Sequence, residues 1–156
     1  MRDVCVTKAE LDALGQSPVL FDALICEDES ACVFRKTVTQ GDPGVASQRV
    51  TARWPHHLPG EMVIALTGQA GVIAMRRKGV IGVGWRGHGV RIRDARFSAP
   101  VMVGETAYMR VEIIRTRKLG RSIYAQFRFR MWKHADDGSD VETFRSEQDA
   151  VFFPDE

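Results

Sequence analysis

The chain has 156 residues, 44% of them hydrophobic and 27% charged, with a formal net charge of +2. That length suits one compact domain, expected to span residues 1–156, and the balance excludes a disordered tail, a fibrous repeat and a nucleic-acid binder, which needs a clustered basic stripe. The opening Met1-Arg2-Asp3-Val4-Cys5-Val6 lacks the apolar stretch of a signal peptide, and no later run nears the roughly 18 apolar residues of a membrane span. A cytoplasmic protein without membrane contact is expected. Cys5, Cys26 and Cys32 lack metal-ligand spacing and read as buried small hydrophobes, so neither a metal nor a cofactor is implied.

The first element read from the pattern is an apolar run over 19–25, preceded by Ser17-Pro18, which predicts a buried strand. Strand-like runs follow over 31–39 and 47–54, separated by Gln40-Gly41-Asp42-Pro43-Gly44, whose Gly and Pro content interrupts regular structure. Three strands are therefore expected before the first helix. Pro59-Gly60 opens a helix over 61–78, with Met62, Leu66, Gln69, Ile73 and Arg76 at three- and four-residue steps and Gly79 at its end. Small or apolar residues fill most of its other positions, so it is expected to be buried on every side. Gly68 and Gly71 each cost about 1 kcal/mol of helix propensity relative to Ala, which points to close backbone approach there.

Strands are predicted over 90–98, 106–116, 122–133 and 141–153, all rich in β-branched and aromatic residues. In 122–133 the residues Ile123, Ala125, Phe127, Phe129 and Met131 alternate with polar ones, the period of a sheet wet on one face. At roughly 1.5–3 kcal/mol per large apolar side chain, that row must face a core, and the helix is the available partner. The implied class is α+β: a curved antiparallel sheet wrapped around one long central helix. Gly82-Val83-Gly84-Trp85-Arg86-Gly87 has the spacing of a dinucleotide fingerprint, but a strand rather than a helix follows it, so it reads as a flexible connection.

Trp54-Pro55-His56-His57-Leu58-Pro59-Gly60, followed by a helix with Gln69, resembles the hot-dog β-hydroxyacyl-acyl-carrier-protein dehydratases of the FabZ and FabA type. Arg96-Phe97-Ser98-Ala99-Pro100-Val101-Met102-Val103-Gly104-Glu105 is similar to that family's R-F-x-x-P-V-x-P-G-D segment, and Leu20-Phe21-Asp22-Ala23-Leu24 to its L-L-V-D-R-V. The likeness implies a hot-dog fold, dimeric assembly and an acyl group carried as a thioester on acyl carrier protein or coenzyme A. It also exposes two departures: Ala65 stands at the family's catalytic carboxylate position and Arg53 at its catalytic histidine. Dehydration needs an acid and a base, and losing one such group typically costs about 10²–10⁴ in rate.

The candidate catalytic residues are then His57 or His56, re-aimed by a shortened loop, and Gln69, able to orient a water or a thioester carbonyl. Locally bonded loop histidines and a Gln satisfied by backbone are the competing readings, and Glu61 is a substitute carboxylate or simply favourable to the helix dipole. The resemblance implies substrate contacts from Trp54, Gly60, Phe97, Pro100 and Val101, with backbone N–H groups at the helix start facing a thioester carbonyl. Arg76, Arg77 and Lys78, with Arg115, Arg117, Lys118 and Arg121, either steer a carrier protein or coenzyme A phosphates or form a solvated rim. Three functions fit: a dehydratase-family subunit, catalytic itself or supporting a second hot-dog subunit in a heterodimer; a hot-dog thioesterase; or a non-catalytic acyl-thioester binder.

Overall fold

The computed structural model describes residues 1–15 and 18–155. In chain order the elements are β1 (Arg2–Val6), α1 (Lys8–Leu14), β2 (Ala23–Glu27), β3 (Ala31–Thr37), α2 (Gly60–Arg77), β4 (Trp85–Phe97), β5 (Thr106–Leu119), β6 (Ser122–His134) and β7 (Asp140–Pro154). The strands form one seven-stranded sheet in the order β1-β2-β3-β5-β6-β7-β4, with every neighbouring pair antiparallel.

Alternation along β6 is as the sequence predicts: Ala125, Phe127, Phe129 and Met131 are buried, while Arg128 and Arg130 are exposed. Their row faces α2, whose Leu66, Ala70, Ile73 and Met75 are fully enclosed. α2 packs against β3, β5 and β4, its Thr67 bonds Gln148 of β7, and its Gly71 lies over the Phe127 ring of β6. Five adjacent strands span about 19 Å, wider than a helix of 10–12 Å, so they reach one helix together only by curving round it. This is the hot-dog architecture.

Several expectations need correction. The first residues, given no element by the hydrophobic pattern, form β1 and α1; the Glu10 carboxylate accepts both the N–H and the hydroxyl of Thr7 at 2.8 Å, starting α1 before the long helix. The strand expected over 19–25 begins only at Ala23. Val19 and Phe21 are buried as predicted, but side chains satisfy the local amides: Val19 N–H donates to Asp12 and Leu20 N–H to Gln69. Ser17 lies outside the described residues.

The strand expected over 47–54 does not form. Successive tight turns (Asp42 N–H to Thr39, Val45 N–H to Asp42, Gln48 N–H to Val45) lead into the segment, and within it Thr51 and Trp54 exchange backbone bonds with each other in one isolated bridge. Nor is α2 covered on every side, since Glu61, Ala65 and Gly68 share an exposed stripe, and a Cβ on Gly68 would meet nothing within 4 Å. Gly71 does lie against the Phe127 ring, where an added Cβ would make ordinary contact at 3.6 Å, but the approach that leaves no room for a Cβ is at Gly87, 2.7 Å from the Phe152 ring. Gly87 lies in β4, so the supposed flexible connection is partly strand. Of the cysteines only Cys32 is buried, which pushes its thiol up to about 11; Cys5 is exposed and Cys26 half-buried.

Candidate functional site

The loop 38–59 carries the histidines, and two anchors fix it. At its start, a buried ion pair joins Lys36 Nζ to Asp42 Oδ1 at 2.7 Å, while Asp42 Oδ2 accepts the Thr39 N–H at 2.7 Å. Near its end, the Gln48 amide grips the His57 backbone from both sides, accepting its N–H at 3.0 Å and donating to its carbonyl at 2.9 Å. Residues 56–58 then run beside 101–103: Leu58 N–H donates to Val101, Val103 N–H to His56, and His57 bridges Met102. The two sequence segments that carry the dehydratase resemblance are thereby brought together.

The 101–105 turn is itself braced. Glu105 accepts the Met102 N–H at 2.7 Å and pairs with Lys133 at 2.6 Å, and Gly104 supplies the required φ of 91°. Burial alone would raise the Glu105 pKa, but the Lys133 ammonium and the Met102 amide overcome it and hold the carboxylate below its ordinary range.

Between this loop, the start of α2 and the ends of β4 and β7 lies a cavity of about 270 Å³. His57, Gly60, Phe97, Pro100 and Val101 all line it, so five of the eight predicted catalytic and substrate-contacting residues converge on one cleft. Val63, Phe144 and Thr143 complete its walls with Leu58, Ser98 and Ala99. Phe97 packs at a tilt of 45° against Phe144 with ring centres 4.9 Å apart, and the missing Cβ of Gly60 lets the Phe97 ring lie against the first turn of α2. Pro59 caps that helix without a side-chain hydrogen bond, leaving first-turn N–H groups directed out of the helix start.

His57 Nδ1 lies 3.0 Å from the Pro55 carbonyl. A carbonyl can only accept, so Nδ1 carries a proton, and in the neutral imidazole the lone pair is then on Nε2. That tautomer suits a base or a hydrogen-bond acceptor. His57 is also the only titratable residue lining the cavity among the described residues; no Asp, Glu, Lys or Cys joins it.

The remaining predicted residues sit elsewhere. His56 Nδ1 donates to the Val45 carbonyl at 2.8 Å, and the residue does not line the cavity. Gln69 spans two backbone groups, accepting from Leu20 N–H at 2.9 Å and donating to the Pro18 carbonyl at 3.2 Å. It pins the 18–20 segment, with both ends of its amide engaged. Trp54 is 57% exposed and outside the cleft. Ala65 and Arg53 are exposed, and neither lines the cavity.

The basic groups divide into two sets. Arg76 is 8% exposed and donates to the carbonyls of Leu14, Gly15, Val83 and Trp85, which makes it a clamp inside the fold. Arg77 and Lys78 both pair with Glu27, as does Arg2, and Lys78 also donates to the Asp28 carbonyl. Arg115, Arg117, Lys118 and Arg121 are exposed around the β5–β6 hairpin and form no ion pair among the described residues. Ile123 near that hairpin is level with Phe152 and Gly87, whereas the cavity is level with Phe97. That end of the hairpin thus lies about 27 Å along the sheet from its own cavity.

Thr143 was not foreseen. Among the described residues, only its Oγ1 and Arg76 Nε are buried side-chain polar atoms without a hydrogen-bond partner.

No family model matches the chain, and no curated protein matches it by sequence. Solved structures do. A thioesterase from Haemophilus influenzae superposes with a TM-score of 0.59 at 18% identity, covering 97% of this chain and 94% of that one. A dehydratase heterocomplex from Xenorhabdus doucetiae gives 0.57 at 19% identity, covering 88% and 84%. A hot-dog-like protein from Thermanaerovibrio acidaminovorans gives 0.54 at 16% identity, covering 80% and 82%. The similarity establishes the hot-dog fold.

Proposed function

We propose that this chain binds an acyl group, carried as a thioester on acyl carrier protein or coenzyme A, in the cavity at the start of α2. In this reading it is a dehydratase-family subunit that supports a second hot-dog subunit rather than performing the chemistry alone. The observation carrying it is the lining: hydrocarbon walls for an acyl chain, a helix N-terminus for a carbonyl, and His57 without a carboxylate. A dehydratase needs two proton-transfer groups, and this cleft supplies one.

Dimerisation belongs to the same proposal. β4 is a 13-residue edge strand bearing exposed Val90, Ile92 and Phe97, a template for pairing that a monomer would ordinarily protect. Self-pairing about a two-fold axis runs antiparallel and sets the Trp85 end of one β4 beside the Phe97 end of the other. The partner's basic hairpin then arrives at the cavity's end of the extended sheet, about 15–19 Å to the side. From there it is placed to meet the phosphates or acidic carrier of a bound thioester.

The test is to assay crotonyl-thioester hydration by the purified chain alone and after coexpression with a second, carboxylate-bearing hot-dog subunit. Inactivity alone and turnover in the complex are expected; full dehydratase activity from the single chain refutes the supporting role. A thioesterase is the second reading, favoured by the free Nε2 lone pair of His57 beside the helix N-terminus. It predicts acyl-thioester hydrolysis by the chain alone, reduced about 10²–10⁴-fold by His57→Ala and unchanged by His56→Ala.

A further inference from the structure

β7 carries one residue more than β6 beside the cavity. Met131 is paired with Phe144 and Trp132 with Glu142, so Thr143 is the extra residue of a β-bulge. In an uninterrupted strand, Thr143 and Phe144 would point to opposite faces. Here both are buried, Thr143 at 3% and Phe144 at 0% exposure, and both wall the cavity. Bulges re-aim side chains in this way beside active sites.

The Thr143 backbone is engaged, its carbonyl accepting the Ser98 N–H at 2.9 Å, but Oγ1 has no partner. An unmatched buried hydroxyl is a standing cost, and a valine would fill the same shape without it. The cost is recovered when a ligand brings the missing partner.

We propose that Thr143 is a ligand-binding residue of this cavity, its hydroxyl hydrogen-bonding an oxygen of the bound acyl group. The inference rests on the acyl-thioester reading above. A threonine adopts more than one χ1 rotamer, and one rotation exchanges its methyl with its hydroxyl at the cavity wall. The ligand oxygen is either the thioester carbonyl or an oxygen substituent on the acyl chain, since each accepts from a hydroxyl. Val63, Val101 and Phe144 beside it offer such an oxygen only hydrocarbon, so Thr143 joins His57 and Ser98 as the side chains of the lining able to tell an oxygenated position from a bare one.

The experiment titrates the full chain calorimetrically with butyryl-CoA and 3-hydroxybutyryl-CoA analogues whose thioester sulfur is replaced by methylene, so that neither is hydrolysed, and the hydroxylated ligand is recovered and weighed by mass spectrometry to show that it has not lost water. Wild type, Thr143→Val and Thr143→Ser are compared, with melting temperatures of the free proteins. Thr143→Val is expected to raise the melting temperature by about 2–4 °C while weakening binding about tenfold, and Thr143→Ser to keep affinity within about threefold. A merely structural threonine would not move stability and affinity in opposite directions. Equal weakening for both ligands assigns the contact to the carbonyl, and weakening of the hydroxylated ligand alone assigns it to the substituent. Unchanged affinity of Thr143→Val for both ligands overturns the role of Thr143 and leaves the acyl-thioester reading standing. Failure of both ligands to bind wild type overturns that reading and this inference with it.

Discussion

The two ends of α2 are built on opposite rules. At its C-terminal end, Arg76 donates to four backbone carbonyls and Arg77 and Lys78 share the buried carboxylate of Glu27, so cations from the helix knit α1, β2 and β4 to it. At its N-terminal end, the cap is a proline without a side-chain bond, Ala65 and Gly68 are exposed, and Thr143 Oγ1 has no partner. Even the leftover Arg76 Nε fits the contrast, because a planar guanidinium aimed at four carbonyls cannot aim all five donors. Where the fold satisfies its own polar groups the residues are structural; where it leaves them open, a ligand or a partner has something to complete.

The comparison can be broken most decisively at Arg76. Arg76→Met strips donors from four carbonyls and is expected to cost about 3 kcal/mol, a fall of roughly 6–12 °C in melting temperature. Affinity for acyl-CoA analogues should be unchanged; an unaltered melting temperature with weakened carrier binding would instead make this end a docking surface. Glu27→Gln comes next, at about 2–3 kcal/mol at neutral pH. The Arg77 guanidinium, opposed by burial and aided by Arg2 and Lys78, brings the Glu27 carboxyl from its ordinary 4.5 down to about 2. A depressed pKa stabilises the fold above pH 4.5 and loses that contribution as pH falls toward 2. Urea titrations at several pH values should therefore show the gap between wild type and Glu27→Gln closing over that window, and a gap independent of pH would break the ion-pair account.

Gly87→Ala probes the packing at the same structural end. Its new Cβ would fall 2.7 Å from the ring of the buried Phe152, which calls for a loss of about 2 kcal/mol by chemical denaturation. The smallest effect has the opposite sign. Gly68→Ala fills open space on an exposed helix face and should gain up to about 1 kcal/mol from helix propensity. A loss at Gly68 would mean that a second subunit already packs there, sharpening the dimer proposal.

Legibility followed the same division. The alternation in β6 fixes which side chains face inward before any coordinate is known, because a half-buried strand has a strict period of two. The α1 start was also written in the chain as Thr7 followed three residues later by Glu10, a capping pattern that the search for apolar periodicity passes over. By contrast, the polar segment 47–54 resembled a strand only by composition, and it closes on itself through the paired Thr51 and Trp54 backbone groups instead of joining a ladder. His57 and His56 are adjacent and chemically identical in sequence. Only their Nδ1 acceptors, Pro55 and Val45, and the position of the cleft tell them apart.

By itself, then, the sequence determined the α+β class, the long helix and the four long strands, because local periodicity and turn chemistry act over a few residues, while the segments that converge on the cleft were marked by their resemblance to the dehydratases. The tertiary structure alone decided that Arg76 and Gln69 are spent on backbone groups and that a bulge turns Thr143 toward a cavity. Whether a polar atom is satisfied depends on neighbours brought from elsewhere: Leu20 lies 49 positions from Gln69 and Leu14 lies 62 from Arg76. No local pattern encodes that distance.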